Sequence, residues 1–465
     1  MQYDLIIIGA GTAGISAYKE AIKYTQNILI INQGPWDTTC ARVGCMPSKA
    51  LISAAHQLYD AEHLAIFGMK ATLTVDRSQV MSHVQQLRNR FSSATLKDVA
   101  QWPSQHKISG QAQFINSNTI AVNGQHYQAK RFILAVGSTP NLNPDWHVAI
   151  GDKQLSSDNI FELTQLPESI AVVGSGVIAI ELAQALHRLG VKTTIFARSK
   201  KVGNLSSPTL QQLMQQHFEQ ELNILFETLP NQVSRHNHQV KIDYQHLGEN
   251  HSIVVDYLLN ATGRNSLLPT LALENIDPTF KNLKNLPIHK QTKQLADYPI
   301  FIAGDAFSQK PLQHEAANDG RLAVQNCLNP QNNDTPSRPT LGIVFSSPQM
   351  ATVGMTQADL IQQEIAFVTG HVSFERQGRA LVLGKNVGAV EIYVKCSTRQ
   401  VIGAELFVEA AEHLAHLLNW MIDEGCTVDT LLAKSFYHPT LEEGLRSALK
   451  DAKTKLDQAI ILNPK

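Results

Sequence analysis

Cysteine is scarce in this chain: five residues in 465 are too few and too scattered for a secretory disulfide framework. In a reducing compartment, a disulfide that does form is usually catalytic or redox-sensing. Long apolar runs are missing too, since no stretch approaches the ~20 residues a membrane-spanning helix needs. An excess of either charge is also absent: 39 basic residues face 40 acidic ones for a net charge of -1, which gives no global pull toward nucleic acid or an anionic membrane. The opening Met1-Gln2-Tyr3-Asp4 has no basic leader, apolar segment or small-residue cleavage site, so a cytoplasmic location is expected. These absences favour small-molecule chemistry. No metal-ligating cluster is expected.

What is present is a soluble composition, 43% hydrophobic and 17% charged, on a chain long enough for two to four domains. The apolar run Leu5–Ile8 leads into Gly9-Ala10-Gly11-Thr12-Ala13-Gly14, a helical stretch from Ile15 to Tyr24, and a second run from Ile28 to Ile31. This is the strand, glycine turn, helix, strand order of a dinucleotide-binding unit, in which Gly9, Gly11 and Gly14 serve turn, phosphate approach and helix packing. The ribose-binding position falls at 32 − 11 = 21 residues from the second glycine, and Asn32 stands there instead of an acid. An amide can bond a hydroxyl, without the strength of a carboxylate.

Cys40 and Cys45 follow within Thr38-Thr39-Cys40-Ala41-Arg42-Val43-Gly44-Cys45-Met46-Pro47-Ser48-Lys49, ahead of a helix expected from Ala50 to His63. Thiols at the amino end of a helix are acidified, as a reactive thiolate requires. Two unrelated buried cysteines are the bland alternative, and Cys327, Cys396 and Cys426 read as small buried hydrophobes. A helix is expected around Ser78 to Phe91, with strands around Gly110–Phe114, including Ala112, and around Thr119–Val122. The run from Phe132 ends in a turn at Gly137-Ser138-Thr139-Pro140.

The pattern then repeats. Ser169–Val173 is a strand, Gly174-Ser175-Gly176-Val177-Ile178-Ala179 a second fingerprint, Ile180–Leu189 a helix closed by Gly190, and Thr193–Phe196 the next strand. Here the ribose position, 197 − 176 = 21, is Ala197, followed by Arg198, Lys200 and Lys201. Loss of the carboxylate and gain of positive charge argue for a 2′-phosphate, hence NADPH over NADH; a solvated basic loop is the alternative.

Further on, a strand Val254–Leu259 precedes Ala261-Thr262-Gly263-Arg264, and Ile300–Asp305 reads as a strand ending in a carboxylate. Gln313 and His314 begin a helix, and the Asn- and Pro-rich stretch from Asn326 to Thr340 reads as a linker. The remainder alternates strands (Val372–Glu375, Ala389–Lys395, Gln400–Glu405) with helices (Glu409–Glu424, Leu441–Leu456) around Tyr437-His438-Pro439-Thr440-Leu441-Glu442-Glu443. A histidine beside a carboxylate suits acid/base work, although Thr440 and Glu443 also have capping-box spacing.

Together the Cys40-x4-Cys45 pair with Pro47 and Lys49, Ala261-Thr262-Gly263-Arg264, Gly304-Asp305, and His438-Pro439-Thr440 with Glu443 resemble the flavoprotein disulfide reductase family over nearly the whole chain. The Cys-Met-Pro-Ser-Lys form looks most like dihydrolipoamide dehydrogenase. The resemblance implies an α/β fold with an FAD domain (1–145 and 264–338), an NAD(P) domain (146–263) and a carboxyl-terminal α+β dimerisation domain (339–465). It implies that electrons pass between NAD(P)H and the disulfide by way of FAD, that Cys45 receives them, and that Cys40 exchanges with a small-molecule or lipoyl-type disulfide. His438 of the other subunit of a homodimer, oriented by Glu443, would handle the proton. Lys49 and Glu181 match an ion pair beside the flavin, Asp305 a ribitol ligand, and Gly110 and Ala112 border the adenine. The departures are Asp37-Thr38 for Gly-Gly, Ala41-Arg42 in place of the usual Asn after the first cysteine, Asn32 for an acid and Glu442 for a serine. An NADPH-dependent reductase of another disulfide, like glutathione or mercuric reductase, is the enzymatic alternative. A non-catalytic FAD-binding sensor is the other. No lipoyl-like or metal-binding amino-terminal extension is expected.

Overall fold

The computed structural model describes residues 2–289, 291–307, 311–329 and 338–462. Two parallel five-stranded sheets and one antiparallel five-stranded sheet organise them. The first sheet has the order 300–302, 132–134, 5–8, 28–32, 107–109. Its central strand, Leu5–Ile8, is buried on both faces, which is why it reads as an unbroken apolar run. Helix α1 (Thr12–Ala21) covers one side, starting earlier than the apolar periodicity suggests because Gly11 already serves as its N-cap.

The two-cysteine stretch forms two helices: α2 (Thr39–Arg42), capped by the Thr38 hydroxyl, and α3 (Cys45–Glu62). Helix α4 (Arg77–Ala100) runs well past Phe91, started by Asp76, whose carboxylate accepts from the amides of Ser78 and Gln79. A small sheet of 2–3, 125–129, 119–122 and 112–116 flanks this unit.

The chain leaves through Ser138–Pro140 and returns through Arg264–Ser266, and the two segments pair as antiparallel strands. Between them lie α5 (Pro144–Ile150) and the second parallel sheet, ordered 154–155, 257–260, 169–173, 192–197, 223–226. Helix α6 (Val177–Arg188) crosses from its central strand, α7 (Pro208–Glu221) follows, and a three-stranded antiparallel sheet spans 230–255. The strand expected over Val254–Leu259 is broken at Asp256, whose carboxylate accepts from the amides of Glu168 and Ser169 and from the Gln239 side chain. That bend is where the chain passes from the antiparallel sheet to the parallel one.

The strand Ile300–Ile302 stops short of Asp305, because Gly304, at φ +66°, opens a 3-10 turn. Helix α8 (Gln313–Leu328) then packs on α1, so Asn326, Cys327 and Leu328 belong to a helix and not to the expected linker. Residues 330–337 of that linker lie outside the described residues. The carboxyl-terminal antiparallel sheet, ordered 341–344, 349–354, 401–408, 389–395, 367–373, carries helices Ala411–Asp423 and Glu443–Leu462. One apolar cluster lies wholly within this unit, while Val344, Met350, Ala389 and Phe407 join the core that also holds Ile170, Val172 and Ile195 of the second parallel sheet. Cys327 is buried, but Cys396 is exposed in the turn after Ala389–Lys395 and Cys426 is half-buried, so only Cys327 fits the reading of buried hydrophobes.

Candidate active site

The turn after Leu5–Ile8 is shaped by what a side chain would strike. Gly9 has φ +103°, and a Cβ on it would lie 2.3 Å from the Ala135 carbonyl oxygen; a Cβ on Gly14 would lie 1.8 Å from that of Gly9. At Gly11 nothing stands within 4 Å, so the amino end of α1 opens onto space with no side chain capping it. That space is a cavity of about 710 Å³. It is lined by Gly9, Gly11, Thr12, Asn32, Cys40, Cys45, Lys49, Gly110, Ala112, Gly137, Ile178, Glu181, Arg264, Asp305 and Gln313 among the expected site residues.

Asn32 does more than face this cavity. Its Oδ1 accepts from the Ala10 amide at 3.0 Å, and its Nδ2 donates to the carbonyls of Gly34 (2.9 Å) and Pro35 (2.7 Å). A carboxylate could accept the first bond but could not donate the other two. The asparagine therefore ties the next loop to the glycine turn.

Both Cys40 and Cys45 are free thiols here. Cys45 is the first residue of α3, and Gly44 lets that helix start against α2, since a Cβ there would sit 3.1 Å from the Cys40 Cα. The Cys45 thiol is lowered to about 7: the hydrogen bond from Cys40 favours its thiolate, burial opposes it, and the charge of Lys49 favours it further. The same bond, with burial, pushes Cys40 up. Of the two thiols, Cys45 is therefore the one that gives up its proton first, while Cys40 keeps its own.

Lys49 Nζ lies 2.8 Å from Glu181 Oε2, joining α3 to α6 across the two units, and Glu181 Oε1 accepts from the Phe345 amide at 2.7 Å. Arg264 donates to Ser138 Oγ and O, Ser157 Oγ and Asp158 Oδ1 at 2.8–3.2 Å. Burial raises the Asp305 carboxyl against the pull of Arg264 and a Ser138 hydrogen bond.

The second fingerprint copies the first. Gly174 has φ +122°, with a Cβ position 2.6 Å from the Ala261 carbonyl, as Gly9 faces Ala135. Gly176 caps α6 with open space before it. A second cavity of about 590 Å³ touches this sheet at Val173 and Thr262. Gly174, Gly176, Ala197, Arg198, Gly263, Gly304 and His314 line neither cavity, and Gly14 lies beneath the first. Ala197 is buried, while Arg198, Lys200 and Lys201 are exposed. His438 Nδ1 lies 3.1 Å from both carboxylate oxygens of Glu443, which also accepts from the Thr440 amide, so the capping and the histidine contact share one side chain. His438 is 80% exposed and does not line its own chain's cavity.

Sequence reasoning missed Asp37, Ser138, Ser157 and Asp158 in the cavity wall. Asp37 carried a signal, as one of the family departures; the other three come near only through the crossing of the chain between units.

The pyridine nucleotide-disulphide oxidoreductase family model matches residues 3–320, and the family's dimerisation-domain model matches residues 340–449. The chain belongs to this family. A mercuric reductase of Staphylococcus aureus is 28% identical over 96% of this chain and 82% of its own. A dihydrolipoyl dehydrogenase of the same organism is 26% identical over 97% of each chain. Among solved structures, LpdA from Mycobacterium tuberculosis superposes with a TM-score of 0.82 at 22% identity, covering 96% of this chain and 99% of its own. The HOCl-induced flavoprotein disulfide reductase RclA from Escherichia coli, as its Cu(II) complex, gives 0.79 at 20%, covering 97% and 99%. These two show the fold.

The chain is an FAD-dependent pyridine nucleotide-disulfide oxidoreductase. The first cavity fits the flavin dinucleotide, because the side-chain-free turn at Gly9–Gly11 and the uncapped start of α1 leave room and amide donors for a diphosphate. No helix among the described residues is long and apolar enough to cross a membrane.

Proposed function

We propose that this protein is a dithiol/disulfide oxidoreductase of the dihydrolipoyl dehydrogenase type. The observation that carries the reading is the polarised thiol pair: Cys45 lowered at the start of α3 beside Lys49, Cys40 raised, both in the wall of the dinucleotide cavity. Match over 97% of a dihydrolipoyl dehydrogenase supports the type. Bound FAD would supply a two-electron carrier between nicotinamide and disulfide. Cys40 meets the substrate, exchanging through a mixed disulfide, and Cys45 resolves it. His438, held in one orientation by Glu443, takes or returns the substrate thiol's proton at Nε2. Its exposure and its absence from its own cavity support a homodimer in which it serves the cysteines of a second copy.

The domain division 1–145 with 264–338, 146–263, and 339–465 is supported by the pairing of Ser138–Pro140 with Arg264–Ser266 at the two crossings. Cysteine usage supports a cytoplasmic location. NADPH is the preferred nucleotide, supported by buried Ala197 in place of a carboxylate and by exposed Arg198, which has no ion pair among the described residues. That preference also supports a second reading, an NADPH-dependent reductase of another disulfide.

Turnover of dihydrolipoamide, lipoamide and glutathione disulfide with each nicotinamide separates the two readings. Fast NADPH-driven reduction of glutathione disulfide with idle lipoamide favours the second. Arg198→Glu is expected to raise KM for NADPH about 10- to 100-fold and leave NADH nearly unchanged. Titration with NADPH should develop a long-wavelength absorbance that is lost in Cys45→Ser. Its absence from the wild type would sink the thiol relay.

A further inference from the structure

Among the described residues, three cations line the flavin cavity: Arg42, Lys49 and Arg264. Four carboxylates accompany them, Asp37, Asp158, Glu181 and Asp305, so with all groups charged the described residues of the wall carry no surplus positive charge for a dinucleotide diphosphate. Two of the cations are committed. Arg264 spends Nε, Nη1 and Nη2 on Ser138, Ser157 and Asp158, and Lys49 gives Nζ to both oxygens of Glu181.

Arg42 differs. Only its Nε is used, donating to Asp37 Oδ1 at 3.0 Å, and among the described residues neither Nη has a partner. Its side chain is 38% exposed whereas that of Asp37 is 4% exposed, so the carboxylate is the buried, fixed end of the pair and the guanidinium fork is the open end. The fixed end is well held. Asn32 grips the carbonyls of Gly34 and Pro35 while accepting from Ala10 of the glycine turn, and the Trp36 indole donates to Ser109 Oγ at 3.0 Å. Asp37 is the next residue. A buried carboxylate beside a diphosphate site would repel the ligand unless neutralised.

We infer that Arg42 is a flavin-diphosphate ligand, presented by Asp37. The two residues are a coupled departure from the family pattern, which places glycine and asparagine at these positions. The free edge of the guanidinium contributes Nη donors and charge to the phosphate oxygens, adding to the amides at the start of α1. This rests on the family's FAD chemistry and adds a residue to it.

The experiment uses the full chain stripped of flavin, titrated with FAD by fluorescence quenching, with circular dichroism of the FAD-free protein as the folding control. Arg42→Asn is expected to weaken FAD binding about 10- to 100-fold, the loss of a charge-assisted contact. Asp37→Gly with Arg42→Asn together should recover affinity to within about threefold of wild type, since the stranded carboxylate is gone. Arg42→Lys, which keeps charge and loses the fork, should fall between and covers the case in which Arg42→Asn does not fold. Wild-type FAD affinity in Arg42→Asn, with a raised KM for the disulfide, would place Arg42 at the substrate and overturn the inference. A double variant weaker than the single would overturn the coupling. A wild-type chain that takes up no FAD would instead overturn the flavin assignment itself.

Discussion

The two dinucleotide units share one backbone device and finish it differently. In each, the first glycine of the fingerprint presses against a carbonyl of a second turn, Gly9 on Ala135 and Gly174 on Ala261, and a glycine-capped helix start is left free. At the end of the following strand they part. The first unit has Asn32, knitted into the loop beyond it and facing a cavity that residues of α2 and α3 also line; the second has buried Ala197 followed by the exposed cations Arg198, Lys200 and Lys201. An enclosed site suits a resident group, and an open one suits a nucleotide that must leave after each turnover. Enclosure, more than the glycine pattern, separates the two roles.

The sharpest way to break the comparison is to fill each turn in parallel. Gly9→Val, with strained φ and a Cβ inside the Ala135 carbonyl, is expected to cost about 3 kcal/mol or more and yield a colourless protein, read by flavin content on purification. Gly174→Val should keep its flavin and lose nicotinamide-driven reduction, read by anaerobic NADPH titration. Loss of flavin in both would mean the units do not act separately.

A smaller effect is expected at the ion pair that joins them. Lys49→Met removes a charge that favours the Cys45 thiolate, so the pH midpoint for alkylation of the two-electron-reduced protein should rise from about 7 by about one pH unit. The sign follows from the group: a thiol gains charge on deprotonation, and loss of a nearby cation makes that harder. An unmoved midpoint would leave Cys40 and the helix start as sufficient causes.

An effect of similar size is expected at Asn32→Asp. The substitution restores the acid usual at this position but forfeits two donated bonds, so unfolding should become easier by about 1–2 kcal/mol and FAD binding weaker, by thermal denaturation and titration. Tighter FAD binding would show that the asparagine is merely a poor ribose ligand.

Much of this molecule was legible before its shape was known. Buried parallel strands are continuous apolar runs, fingerprints have fixed spacing, and the cysteine stretch has few other uses, so both units and the redox pair stood out. Helix ends were less legible: α4 is capped by Asp76 and continues past Phe91 on a polar surface that the apolar pattern does not mark. The break at Asp256 depends on amides of Glu168 and Ser169, nearly ninety residues away in sequence. Asp37 and Arg42 were visible as oddities, but only their ion pair in the cavity wall shows that one answers the other. Asn32 read as a weakened ligand, and its loop-holding bonds need coordinates.

The strap formed by Ser138–Pro140 and Arg264–Ser266 bears on how the chain is made. On a ribosome, the strand Phe132–Leu134 emerges early, while its neighbour Ile300–Ile302 follows only after the whole second unit has been synthesised. The flavin-binding sheet therefore waits for its edge strand while the inserted unit, complete in sequence, can already fold. Closing the strap brings that last strand up to the four made before it, so the inserted unit acts as the splint on which the first sheet is finished.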